Sequence, residues 1–130
     1  DQEIAPHIDG DQIKYIGPVN DVQKNDLLGR SAALLMPIEW EEPFGIVMVE
    51  AMACGTPVIA FNRGSVTEVV FEGVSGFCCE TVSQAVEAVG RLAKINRCDC
   101  RIHVEQRFSK DIIVDAYEQL YRDLLEDVAP

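Results

Sequence analysis

The sequence predicts an α/β domain built on a mostly parallel sheet of about four short strands. Short apolar runs recur along the chain, helical patterns separate them, and glycine or proline stands at most of the boundaries. A chain of 130 residues is long enough for one domain with a hydrophobic core. We predict that residues 1–12 are a polar lead-in and that residues 13–130 form the domain.

The predicted strands are short. The first alternates in polarity and stops at a Gly-Pro pair, whereas the other three are continuous apolar runs between turn residues. Continuous apolar runs are typical of parallel strands, because both faces of a parallel sheet are covered. The strands are predicted at residues 13–16, 33–36, 58–61 and 76–79.

The predicted helices are marked by capping residues and by apolar periodicity. Asn20 or Asp21 caps the first helix, and Ser109 caps the last. Ser65 and Thr81 each stand three residues before a glutamate or glutamine, which is the spacing of a capping box. The helices are predicted at residues 21–30, 44–54, 66–71, 81–93 and 97–106, with a final helix after residue 109.

Charge and cysteine content exclude several classes of function. Acidic residues outnumber basic ones 22 to 11, for a formal net charge of −11, so we predict no nucleic-acid partner. No stretch approaches the ~20 apolar residues of a membrane span, and no secretory leader is visible. The five cysteines lack the spacing of a zinc site. They predict free thiols, a cytoplasmic location and no metal.

Residues 41–57, EEPFGIVMVEAMACGTP, combine an apolar helix with glutamates. The helix is predicted to be buried on nearly every side, yet Glu50 lies in its middle, where an unpartnered carboxylate is costly. Pro43 restricts Glu42 to a loop conformation at the mouth of the helix. Gly45 removes a side chain from the first turn, which would let a ligand approach.

The mouth of this helix suits a phosphate group. The orphan amides of Phe44, Gly45 and Ile46 combine there with the positive end of the helix dipole. About one and a half turns further in, Glu50 can accept two hydrogen bonds from a vicinal diol such as a ribose. Ligands of parallel sheets bind at the carboxyl ends of the strands, where this helix begins. The residues therefore predict a nucleotide site.

The same residues also have structural interpretations. Glu42 could merely favour the helix dipole, and Glu50 could pair with an arginine such as Arg63 or Arg30. Trp40 could pack on a ligand or against the protein. The combination of free amides, a loop glutamate and a helical glutamate favours the ligand site over these separate explanations.

The segment MPIEWEEPFGIVMVEAMACGTPVIAFNRGSVTEVVFEGVSGF resembles the signature of retaining nucleotide-sugar glycosyltransferases of group 1. The spacing Glu, seven residues, Glu of that signature is matched by Glu42 and Glu50. The resemblance covers residues 13–125 and only the C-terminal, donor-binding domain of such enzymes. It implies a GT-B fold, with two Rossmann-like domains facing a cleft, of which this chain is a truncated, three-layer C-terminal half.

The resemblance also implies roles. Glu42 would contact the donor sugar and is the candidate catalytic residue. The amides around Phe44, Gly45 and Ile46 would face the sugar and the diphosphate, and Glu50 would hold the ribose hydroxyls. The reaction would transfer a hexosyl group, with retention, from a nucleotide-diphosphate sugar to an unidentified acceptor, without a cofactor.

The chain departs from the family pattern in its cations. The family's Gly-Arg motif and downstream lysine, which neutralise the diphosphate, have no match: Gly29 and Arg30 end a helix, and Lys14 and Lys24 do not fit. We also expect the N-terminal acceptor domain to be missing, so that the chain alone is inactive. The alternatives are a nucleotide-binding module and an inactive remnant that acts through oligomerisation.

The missing inner strands of the family's sheet would leave the strand at residues 33–36 with an open edge. Either the strand at residues 13–16 moves in to pair with it, or another chain does. The final helix carries an apolar stripe that would normally meet the rest of a larger protein, so we predict self-association. The stripe comprises Ile113, Ala116, Tyr117, Leu120 and Leu124.

Overall fold

A computed structural model describes residues 3–127 of the chain. Its three strands are parallel and form one sheet in the order β1-β2-β3, which confirms the predicted α/β class. The strands are β1 (Leu34–Met36), β2 (Val58–Phe61) and β3 (Gly76–Cys79). The aligned positions across the sheet are Leu34, Val58 and Gly76 at one end and Met36, Ala60 and Cys78 at the other.

Helices alternate with the strands and then close the chain. They are α1 (Asp21–Arg30), α2 (Ile46–Ala53), α3 (Val66–Val69), α4 (Val82–Arg91), α5 (Arg97–Arg107) and α6 (Lys110–Asp127). Two short 3₁₀ turns lie at Ala5–His7 and Leu92–Lys94. Among residues 3–127, no helix has both the length and the apolar character needed to cross a bilayer.

Two of the predicted caps are confirmed and one is wrong. The Asn20 side chain accepts from the Gln23 amide at 2.9 Å while the Gln23 side chain accepts from the Asn20 amide, which completes a capping box for α1. The Thr81 side chain accepts from the Gln84 amide of α4 at 3.2 Å, which confirms the cap, but the predicted box is incomplete because the Gln84 side chain accepts from the Glu80 amide and not from that of Thr81. Ser65 makes no side-chain capping bond at α3. Its amide donates instead to the Glu42 carbonyl, and its buried hydroxyl has no partner among the described residues.

The strand predicted at residues 13–16 is wrong. This segment forms no strand, and Ile13 and Ile16 are 46% and 57% exposed. A short strand needs a paired neighbour to satisfy its backbone, and among residues 3–127 the outer edge of β1 has no partner strand. The sheet therefore has three strands rather than four, and Leu35 of β1 is 60% exposed. The alternative in which residues 13–16 pair with β1 is also excluded.

The core lies around β2. Val58, Ile59 and Ala60 are all buried, and because neighbouring side chains of a strand point to opposite faces, both faces of β2 are covered. Met48 and Met52 of α2 are fully buried and belong to the same core. This arrangement is the one expected for a three-layer domain and places the start of α2 at one edge of the sheet.

A side chain of α5 holds the C-terminal end of α1. The Arg97 guanidinium donates to the carbonyls of Gly29 and Ser31, both at 2.7 Å, and to the Thr56 hydroxyl at 2.8 Å. Thr56 is fully buried and donates in turn to the Leu28 carbonyl. These bonds therefore provide donors for carbonyls at and just after the C-terminal end of α1, where a helix offers few donors of its own. This contact orients α1 against α2.

The apolar stripe of α6 is exposed, with Ile113 at 38% and Tyr117 at 56%. Leu120 and Leu124 are about half exposed as well, at 49% and 53%. Exposed apolar stripes of this kind are typical of helices that have a further partner. The predicted self-association stays a prediction.

Candidate functional site

The loops that follow β1 and β2 meet at the carboxyl edge of the sheet. The Ser65 amide donates to the Glu42 carbonyl at 2.9 Å, and the Gly64 amide donates to the Glu41 carboxylate. Gly64 has φ +56°, and a Cβ atom there would lie 2.3 Å from the Glu42 carbonyl oxygen. Glycine at this position thus permits the close approach that holds the first loop in place.

The helix after the first loop begins at Ile46, two residues later than predicted. Gly45 is its N-cap in the left-handed conformation, with φ +74°. A Cβ atom at Gly45 would lie 2.5 Å from Met48 Cε and 3.3 Å from Met36 Cε, both of them core side chains. The left-handed conformation favours glycine at this turn, and a Cβ atom would also displace the ends of these two methionine side chains. That Gly45 lets a ligand approach stays a prediction.

The amides at the start of α2 are free. Within the described chain, the amides of Phe44, Gly45, Ile46 and Val47 donate no hydrogen bond. The first amide that closes onto the loop belongs to Met48, which donates to the Gly45 carbonyl at 2.9 Å. Four adjacent donors at a helix N-terminus are suited to an anion.

Glu42 is half-buried beside these amides. Its Oε2 atom accepts from the Trp40 indole Nε1–H at 3.1 Å. The Phe44 ring turns away and packs edge-on against Phe108, with 5.8 Å between ring centroids. Of the predicted contacts, Glu42 thus presents its side chain at the helix mouth, whereas Phe44 presents its backbone.

The prediction that the second helix is buried on nearly every side is wrong. Ile46 is 66% exposed, Val47 is 36% exposed, and the Glu50 side chain retains 34% of its accessible surface. Helical periodicity places these three residues on one face, while Met48 and Met52 face the core. Glu50 therefore lies at a groove and does not carry the full cost of a buried carboxylate.

Glu50 has a partner that the sequence did not identify. Its Oε1 atom lies 2.6 Å from the Lys24 ammonium, which also lies 3.2 Å from the Asp21 carboxylate. The hydrogen bonds to Glu50 and Asp21 raise the pKa of Lys24, so its charged form is favoured. The suggested partners Arg30 and Arg63 pair with other carboxylates.

A groove of about 440 Å³ between α1 and α2 opens onto Glu50. It contains two cations, Lys24 and Arg101, beside the carboxylate. The sequence contains no signal for the pairing of Lys24 with Glu50. The pairing depends on the packing of α1 against α2, and local sequence pattern does not reveal such packing. The groove is lined by Asp21, Lys24, Asn25, Leu28, Glu50, Ala53, Cys54 and Arg101.

The cysteines form no second site. All five are free, and burial raises the pKa of the Cys78 and Cys100 thiols to about 11, so both stay protonated at neutral pH.

Within the described part of the chain, the residues that could bind a metal are not clustered. The His103 ring is buried, with Nε2 2.9 Å from the Val69 carbonyl. No cluster of three or more metal-ligating side chains occurs among residues 3–127. That the chain works without a metal stays a prediction.

Comparison with known proteins gives consistent results. The family model described as glycosyl transferases group 1 matches residues 3–113. The chain is 35% identical over 129 residues to N-acetyl-alpha-D-glucosaminyl L-malate synthase of Bacillus anthracis, covering 93% of this chain and 33% of that protein. It is 30% identical over 128 residues to D-inositol 3-phosphate glycosyltransferase of Gordonia bronchialis, covering 92% and 27%.

Among solved structures, sucrose-phosphate synthase from Thermosynechococcus elongatus has the same fold, with a TM-score of 0.75 and 28% identity. The match covers 91% of this chain and 31% of that one. The chain thus spans about a third of the length of the relatives it matches. The loop glutamate, the free amides and the helical glutamate lie in the segment that the family model covers, and the chain belongs to the group 1 glycosyl transferases.

Proposed function

We propose that this chain contributes the donor site of a retaining glycosyltransferase that transfers a hexosyl group from a nucleotide-diphosphate sugar. The observation that supports the proposal is the grouping of three kinds of ligand-binding feature at the start of α2. Free amides, a loop carboxylate and a helical carboxylate beside a groove occur there within nine residues, from Glu42 to Glu50. No single one of them would define the ligand, but their order along the helix matches the order of groups in a sugar nucleotide.

The donor would lie along the exposed face of α2. Its diphosphate and sugar would face the amides of Phe44, Gly45 and Ile46, where backbone donors and the helix dipole favour negative charge. Its ribose would reach Glu50, about 6 Å further along the helix axis at 1.5 Å per residue from Ile46. Oε2 of Glu50 has no partner among the described residues and can accept a hydroxyl.

Glu42 would orient the donor sugar by accepting hydrogen bonds from its hydroxyls. Catalysis in this proposal comes from stabilising the diphosphate as negative charge develops on it and from positioning the acceptor. Departure of the diphosphate and attack by the acceptor on the same face of the sugar would retain the anomeric configuration. Neither Glu42 nor Glu50 acts as a nucleophile in this scheme, and no metal ion is required.

The acceptor would be bound by another part of the protein. Relatives of this chain are about three times as long as the segment matched, and we propose that an acceptor domain accompanies this chain. The names of two relatives contain different molecules, L-malate in one and D-inositol 3-phosphate in the other, so we propose no particular acceptor for this chain. We also propose a cytoplasmic location, consistent with five free thiols.

Titration with UDP, UDP-glucose, GDP and GDP-mannose tests the proposal directly. Glu50→Ala should weaken binding of the free nucleoside diphosphate as well as the sugar nucleotide, by about 1.5–3 kcal/mol for one charged acceptor. Glu42→Ala should leave the nucleoside diphosphate unaffected and weaken only the sugar nucleotide. Calorimetry or NMR line shifts measure both affinities.

Equal effects of the two substitutions on nucleoside diphosphate would contradict the assignment of Glu50 to the ribose. The alternative function, an inactive module that acts by association, is favoured by the exposed apolar stripe of α6. Absence of any binding by the unmodified chain at millimolar nucleotide would support that alternative against the donor site.

A further inference from the structure

The chain's one tryptophan lies in the loop between β1 and α2, two residues before Glu42. Trp40 is 62% exposed, so it adds little to the core. Its indole Nε1–H donates to Oε2 of Glu42 at 3.1 Å. Core packing does not explain why an exposed tryptophan at this position donates a hydrogen bond to a carboxylate.

Glu42 is held at two points. Its backbone carbonyl accepts from the Ser65 amide at 2.9 Å, and its carboxylate accepts from the Trp40 indole. Oε1 of Glu42 has no partner among the described residues and is left for a ligand hydroxyl. A free glutamate side chain samples several rotamers and loses that freedom on binding, whereas one already held in place loses less.

We propose that Trp40 is a positioning residue for the donor sugar. Its indole N–H fixes one oxygen of Glu42, so that the other points to the sugar hydroxyls, and its exposed ring flanks the place where the sugar sits. This inference rests on the proposed function, in which Glu42 contacts the sugar. A positioning role predicts that Trp40 affects only the affinity for the sugar nucleotide, whereas a role in loop stability would also affect the affinity for the nucleoside diphosphate.

Trp40→Phe separates the two roles, because it keeps a ring and removes the N–H donor. We expect this variant to bind UDP and GDP as the unmodified chain does, and to bind UDP-glucose or GDP-mannose about three- to tenfold more weakly, as for one lost hydrogen bond. Glu39→Ala is the matched control, since it removes a neighbouring exposed carboxylate that forms no ion pair with any of residues 3–127. It should change neither affinity.

A spectroscopic measurement tests the contact without any ligand. Because the chain has one tryptophan, its ¹⁵N–¹H spectrum contains one indole cross-peak. That peak should shift in Glu42→Ala, which removes its acceptor, and stay in place in Glu39→Ala. A peak that moves equally in both variants would overturn the contact and with it the positioning role.

The two proposals fail in different ways. If the unmodified chain binds none of the four nucleotides, the proposed function is refuted, and the role of Trp40 with it. If the unmodified chain binds a sugar nucleotide more tightly than its nucleoside diphosphate and Trp40→Phe preserves that difference, the role of Trp40 alone is refuted. Equal weakening of both ligands by Trp40→Phe would show a structural role and likewise overturn the inference.

Discussion

Arg97→Met tests whether one side chain of α5 holds the end of α1. The substitution keeps most of the aliphatic stem and removes three hydrogen bonds, to the carbonyls of Gly29 and Ser31 and to the Thr56 hydroxyl. The two carbonyls belong to the C-terminal end of α1, where the helix itself offers no donor. Thr56 keeps its bond to the Leu28 carbonyl, so its hydroxyl is not orphaned.

The expected loss follows from these contacts. A typical hydrogen bond contributes about 0.5–1.5 kcal/mol to stability, and one to a charged group contributes about 1.5–3 kcal/mol. We use the lower range, because the freed carbonyls lie near solvent and can bond to water. Because the two carbonyl bonds are exposed to solvent, each of the three bonds is taken at about 0.7–1 kcal/mol, which gives a loss of about 2–3 kcal/mol in the free energy of unfolding. For a domain of this size, roughly 3 °C per kcal/mol predicts a fall in Tm of about 6–9 °C.

Urea unfolding followed by far-ultraviolet circular dichroism measures this loss. Arg122→Met is the matched control, because Arg122 makes one exposed ion pair, at 3.2 Å to Glu118 within α6, worth under about 0.5 kcal/mol. Arg97→Lys should recover less than half of the stability, since an ammonium lacks the fork that spans two carbonyls. A loss in Arg97→Met no larger than in the control would refute the reasoning.

Two further predictions concern the loop after β2 and the thiols. Gly64→Ala should lower Tm and weaken sugar-nucleotide binding, because its Cβ would lie 2.3 Å from the Glu42 carbonyl oxygen. Gly29→Ala is the control and should leave Tm equal or higher, because the space around Gly29 is open. Iodoacetamide at pH 8, followed by mass spectrometry, should label exposed Cys98 and spare Cys100. Burial raises the pKa of Cys100 to about 11 against an ordinary 9.0, so its reactive thiolate is about 100-fold scarcer and increases only as pH rises toward 11.

The parts of the fold that depend on local pattern were predictable. The ends of β2 and β3 agree with the predicted residues, because each apolar run is bounded by turn residues. The start of α1 was predictable because the Asn20 capping box is complete within four residues of sequence. Such features need no knowledge of the rest of the fold.

Features that depend on neighbours were not predictable. The segment at residues 13–16 has a strand-like pattern, but it has no paired strand among residues 3–127, and it forms no strand and stays exposed. Ser65 has the spacing of a capping box, but its amide bonds to Glu42 across the sheet edge. Helix α2 begins at Ile46 and not at Phe44, because Gly45 takes a left-handed conformation and is the N-cap.

The candidate site divides in the same way. Motif spacing was enough to select Glu42 and Glu50. Glu42 lies in the loop just before α2, and Glu50 lies on the open face of that helix. Their partners depend on tertiary packing. Trp40 reaches Glu42 through the shape of a loop, and Lys24 reaches Glu50 only because α1 packs against α2.

Lys24 changes the electrostatic interpretation of the proposed donor site. At a net charge of −11, a bare carboxylate at Glu50 would repel the diphosphate that the site must hold. The Lys24 ammonium, at 2.6 Å, offsets that charge. A carboxylate has about four acceptor positions, so the ribose hydroxyls can still bind. Lys24 therefore offsets the charge of Glu50 itself, which is a different task from that of the family's arginine and lysine at the diphosphate, and the Arg97 contacts hold the other end of the helix that carries it.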